Sequence, residues 1–75
     1  MKKYRWPVLI EKDEDGYYLA IVPTLKGCHT QARSLDELLK RTREAIRLCL
    51  EVRKKEGEAV NSAEIIGFQE IEVAI

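Results

Sequence analysis

Between Asp15 and Ile46 the chain reads DGYYLAIVPTLKGCHTQARSLDELLKRTREAI, packing four structural instructions into one uninterrupted stretch. Asp13-Glu14-Asp15-Gly16 is a turn signal, with carboxylates that can accept from nearby backbone amides and a glycine free to take positive φ. Tyr17 to Val22 is rich in β-formers and reads as a strand. Pro23 stops it, and a Pro/Gly-punctuated crossover ending at Gly27 leads into a third strand, roughly Cys28 to Ala32. Ser34-Leu35-Asp36-Glu37 then has the form of a capping box, which predicts a helix from Leu35 to about Lys55 with Gly57 close to its C-cap.

The flanks extend the pattern. Tyr4, Trp6, Val8 and Ile10 alternate with Arg5, Pro7, Leu9 and Glu11, the period of a strand that pairs with Tyr17–Val22 as an antiparallel hairpin. Both faces of the second strand are apolar or aromatic: Tyr17, Leu19 and Ile21 on one, Tyr18, Ala20 and Val22 on the other. The predicted helix carries an apolar stripe of Leu35, Leu38, Leu39, Ala45, Ile46, Cys49 and Val52, with Leu50 at its margin. Asp36–Lys40, Glu37–Arg41 and Glu51–Lys55 are i,i+4 pairs in the favourable order. Glu70 to Ile75 alternates again, with Ile71, Val73 and Ile75 on one face, and reads as a final strand. The expected architecture is α+β: β-β-β-α-β, a single sheet with one long helix on one face.

Size limits what else the chain can be. Its 75 residues make one domain, 1–75. A domain this short buries only about 60% of the surface its unfolded chain exposes, so its core is thin. Two cysteines and one histidine are too few for a structural zinc site within one chain, which leaves oligomerisation, as a dimer or tetramer, to supplement the core. The formal net charge is zero, which argues against non-specific nucleic-acid binding. No apolar run approaches the ~20 residues that span a membrane, and the basic start is not followed by a signal-peptide core. The expected location is the cytoplasm, with both thiols reduced.

Cys28 and His29 are neighbours on a strand and point to opposite faces, so they are read as a packed thiol and a loop histidine and not as a catalytic pair. Glu11, Asp13, Glu14 and Asp15 could attract a divalent cation, but their spacing matches no calcium loop and a solvated turn is the simpler reading. No cofactor is expected. Arg43, Arg47 and Lys54 share a basic flank of the helix that could contact phosphates, but an exposed salt-bridged face is the simpler reading. Trp6 and Tyr18 are candidates for core or interface roles, and Leu48, away from the apolar stripe, for a contact between subunits.

As an ordered set, Asp15-Gly16-Tyr17, Pro23-x-Leu25-x-Gly27-Cys28-x-Thr30-Gln31, Ser34-Leu35-x-Glu37 and Glu44-Ala45-Ile46 resemble the HicB-like antitoxin family. The chain departs from that family's usual pattern at Ala32, Ser34 and Leu38, where glycine, threonine and alanine are customary. The resemblance implies a partial ribonuclease-H-like fold without the metal-binding carboxylates of true ribonucleases H, and therefore a protein that is not an enzyme. It implies that the chain binds and neutralises a small HicA-like toxin that cleaves mRNA. Many members of the family add a C-terminal DNA-binding domain, and a chain ending at Ile75 resembles the short form that lacks one. The alternative reading is an RNA-binding module or a degenerate ribonuclease-H-like nucleic-acid-processing protein.

Overall fold

The computed structural model describes residues 4–57 and 65–75. Three strands, β1 (Leu9–Lys12), β2 (Tyr18–Ile21) and β3 (His29–Ala32), are followed by one long helix, α1 (Leu35–Lys55), in an α+β fold. The sheet order is β1-β2-β3 and both pairings are antiparallel.

Asp13 organises the first turn. Its Oδ1 accepts from the amides of Asp15 (3.0 Å) and Tyr17 (2.9 Å), and Gly16 takes a φ of 87° that a side chain would resist. The register then sets Leu9 opposite Ile21 and Lys12 opposite Tyr18. This pairing explains why β1 begins only at Leu9 and not at Tyr4. Residues before Leu9 would have to pair beyond Ile21, where the chain turns away at Pro23. The stretch from Pro23 is not a crossover but a hairpin loop. Val22 closes it by donating to the Cys28 carbonyl at 2.9 Å, and Gly27 lies at a φ of 77°.

Ser34 caps α1, its Oγ accepting from the Glu37 amide at 3.2 Å. Glu37 does not complete the reciprocal capping bond. Its carboxylate instead meets Arg41 one turn on, at 2.6 Å. At the other end Glu56 donates to the Val52 carbonyl and Gly57, at a φ of 75°, donates to that of Lys54.

The helix packs on the sheet face built from Tyr18, Ala20 and Val22 in β2 and its end, and Ala32 in β3. Two small cores result. One holds Ala20, Ala32 and Leu38, with Val8 and Tyr18 against it. The other holds Val22, Leu25 and Cys28, with Trp6, Ala45, Ile46, Cys49 and Leu50 among those packed on it. The buried helix stripe is narrower than the sequence pattern predicts. Leu35, Leu39 and Val52 are about half exposed, whereas Thr42 is buried at 4%. Thr42 satisfies its hydroxyl by donating to the Leu38 carbonyl at 2.6 Å, which lets a polar residue occupy a core position.

The expected fourth strand is not part of this sheet. Residues 65–75 have no regular structure and all are exposed, Ile71 and Val73 at 79% and 73%. Their alternation is that of a strand, but none of the three strands pairs with them. The part of the Gly57–Gln69 connection that covers residues 58–64 lies outside the described residues.

Candidate interaction surface

Strand alternation puts a second set of side chains on the sheet face away from α1. Leu9 and Glu11 come from β1, Leu19 and Ile21 from β2, and His29 and Gln31 from β3, with Tyr17 and Arg33 just beyond the strand ends. The registers align Leu9, Ile21 and His29 in one row and Glu11, Leu19 and Gln31 in the next. No described helix or strand packs against this face. Ile21 is 37% exposed and Leu9 and Leu19 are half-buried, so the centre is apolar and open. At the rim Arg33 stacks on the Tyr17 ring (5.2 Å) and donates to its hydroxyl (2.9 Å), which holds both side chains in place. The hairpin tip adds exposed Glu14 and Asp15 beside Glu11.

A second surface lies along one flank of α1. Tyr4, Trp6 and Val8 run past Leu39, Ile46 and Leu50 and leave an apolar groove between them, with Arg43 and Arg47 also lining it. Arg5 and Lys54 join at the far end of the same groove. The three basic residues singled out in the sequence, Arg43, Arg47 and Lys54, therefore line one continuous flank. The three interface candidates are separated. Trp6 lines the groove, Tyr18 packs against the first core with Lys12 over its ring at 5.5 Å, and Leu48, 62% exposed, occupies the opposite flank beside Lys26 and Val52.

The structure keeps Cys28 and His29 apart. Cys28 is buried beneath α1, whereas His29 is exposed and its Nδ1 lies 3.2 Å from the Gly27 carbonyl oxygen. Burial pushes the Cys28 thiol up to about 12, reinforced by a hydrogen bond to Cys49 and that neighbour's charge and opposed by Arg53. Such a thiol stays protonated at neutral pH and is a poor nucleophile. The shift has a stability consequence. An unfolded chain releases the Cys28 proton from about pH 9, while the folded chain retains it up to about 12. The thiol's contribution is thus complete below pH 9 and is lost as pH rises toward 12. Urea unfolding in reductant should show a stability difference between wild type and Cys28→Val that is constant below pH 9 and declines above it. A difference unchanged across that window would contradict the assigned shift.

Asp13 is turned into its own turn, and among the described residues no three His, Cys, Asp or Glu side chains converge to hold a metal ion. Among the same residues no helix is long and apolar enough to cross a membrane. Arg41 and Arg53 tie α1 to the sheet end, donating to the carbonyls of Gln31 and Lys26, each at 2.9 Å. Nothing in their sequence context marks them for that role. Leu9 reads in the sequence only as part of the first strand's alternation, and the hairpin register that sets it opposite Ile21 gives it a place on the open face.

Comparison with known proteins places this scaffold. A UPF0150 protein of Archaeoglobus fulgidus is 56% identical over 69 residues, covering 92% of this chain and 94% of its own. One from Synechocystis is 47% identical over 73 residues, covering 97% and 100%, and one from Thermoplasma acidophilum is 46% identical over 56 residues, covering 75% and 81%. The family described as HicB-like antitoxin of bacterial toxin-antitoxin system matches residues 6–72, a span that includes the hairpin, the loop, the whole helix and most of the C-terminal segment. The chain belongs to the HicB-like antitoxin family.

Proposed function

We propose that this protein is a non-enzymatic antitoxin of the cytoplasm that binds a small HicA-like, mRNA-cleaving toxin and masks the surface with which the toxin holds RNA. The observation that carries this reading is the family match across residues 6–72. The sheet supports it physically. Its open face has an apolar centre of Leu9, Leu19 and Ile21, the kind of patch that desolvates well on binding. Exposed Glu11, Glu14 and Asp15 give one end of that face a negative field. A surface that binds RNA is positive, so these acids favour encounter with it and fix its orientation. Masking needs no bond-making residue, and the protonated, buried Cys28 is suited to packing rather than attack.

Co-expression with the small open reading frame beside its gene tests this reading. Growth arrest by that neighbour should be relieved and the two chains should co-purify. Undiminished toxicity with no complex would reject it.

A further inference from the structure

The two thiols of this chain, Cys28 and Cys49, come from different elements and meet in the core beneath α1. We propose that they are an oxidisable pair: a hydroperoxide converts them to a disulfide that staples the β2–β3 loop to α1. This modification goes beyond the antitoxin reading and does not depend on it.

Three observations carry the inference. First, the two side chains are in contact. Cys49 packs on the buried cluster of Val22, Leu25 and Cys28, and the two thiols share a hydrogen bond. A disulfide needs its sulfurs at ~2.05 Å, so bonding asks for a small closure and not for a new fold. Second, the backbones that carry them are fixed. The Cys28 amide donates to the Leu25 carbonyl (3.0 Å), and the Cys28 carbonyl accepts from Val22 (2.9 Å). Cys49 is interior to α1, and one turn on Arg53 donates to the Lys26 carbonyl at 2.9 Å, clamping the helix to the same loop. The folded chain therefore holds the pair together, which gives the closing step a high effective concentration. Third, the two thiols differ in access. Cys28 is 2% exposed, whereas Cys49 is half-buried and lines a surface pocket with Lys26 and Arg53.

Access sets the order of the chemistry. The Cys49 sulfur attacks an oxygen of the hydroperoxide and the O–O bond breaks. Cys49 becomes a sulfenic acid, and the departing oxygen takes the thiol proton and leaves as water or an alcohol. Lys26 and Arg53 place positive charge where that oxygen turns negative. The Cys28 thiol, kept protonated by burial, then displaces the sulfenic hydroxyl. The S–S bond forms, the S–O bond breaks, and the hydroxyl departs with the Cys28 proton as water. The two thiols have lost two electrons and two protons, and the peroxide has gained them. In a reducing compartment the bond is transient, because small thiols reverse it by exchange. While it lasts, it closes a loop that contains β3 and the buried Leu38 and Thr42 of α1, and so restrains the unfolded chain.

Hydrogen peroxide added to the reduced full chain tests this. Under denaturing conditions the product should have the single-chain mass less two hydrogens, and trypsin should release Gly27–Arg33 linked to Leu48–Arg53. The melting temperature should rise by at least ~8 °C and return to its starting value with dithiothreitol. Cys49→Ser, at the more exposed site, should give no linked peptide and no such rise. The wild-type mass and peptide decide the matter even if that variant folds poorly. Two thiols that stay free, oxygen added at Cys49 with Cys28 still reduced, or bonds only between chains would each overturn the proposal. So would a linked chain that melts no higher, or an equal rise in Cys49→Ser.

Discussion

Leu38→Ala should destabilise this protein by about 2–5 kcal/mol, toward the upper end of that range. Leu38 is fully buried, and the groups around it are Ala20 and Ala32, with Val8 and Tyr18 at the margin. Two alanines on a hydrogen-bonded sheet cannot lean in to fill the space a leucine leaves, so the cavity persists and its full cost is felt. A chain of 75 residues has only about 4–11 kcal/mol of total stability to lose. Urea unfolding should therefore show the midpoint collapse, with much of the population unfolded near the lower bound. Leu35→Ala and Val52→Ala, at sites 48% and 53% exposed, should each cost less than ~1 kcal/mol. Equal losses at all three positions would mean that the broad stripe drawn from the sequence, and not the narrow one in the structure, is the buried face.

That contrast shows what the sequence can and cannot specify. The turn at Asp13–Gly16, the Ser34 cap and the Gly57 terminus are legible because backbone geometry restricts which residues can occupy them. The side of the helix that faces the sheet is less legible. Seven apolar residues spread around a wide arc are compatible with several rotations about the helix axis. The rotation is chosen by packing against Ala20 and Ala32, and Thr42 is admitted to the core because its hydroxyl bonds back to Leu38. The segment after Gln69 illustrates a different limit. Period-2 alternation says that a strand is favoured, but it carries no record of which edge, or which copy, supplies the partner. The same holds for the candidate surface. In the sequence Trp6 and Tyr18 stand out as large aromatics and Leu48 as a leucine off the apolar stripe, and the fold distributes them over three regions. The open sheet face became visible only with the register, which brings Leu9 to Ile21 and both to His29.

Ile21→Glu should abolish toxin capture while leaving the fold in place. Ile21 sits mid-row on the open face between Leu9 and His29, and it is 37% exposed, so the free protein can hydrate a glutamate there without opening its core. Its side chain points away from the sheet face that packs Leu38, and its substitution should shift the melting temperature by only a few degrees. In a complex the same carboxylate would be buried at the centre of an apolar contact, where an unpaired charge is far costlier than a lost methyl group. Affinity for the toxin should fall by at least ~30-fold, the equivalent of about 2 kcal/mol, and co-expression should no longer relieve growth arrest. Leu48→Glu is the informative companion. It places the same charge on an exposed leucine of the far helix flank and should leave capture unchanged if the sheet face is the contact. Loss of capture at Leu48 with retention at Ile21 would move the toxin from the sheet to the helix, and retention at both would leave the groove beside Trp6 as the surface to test.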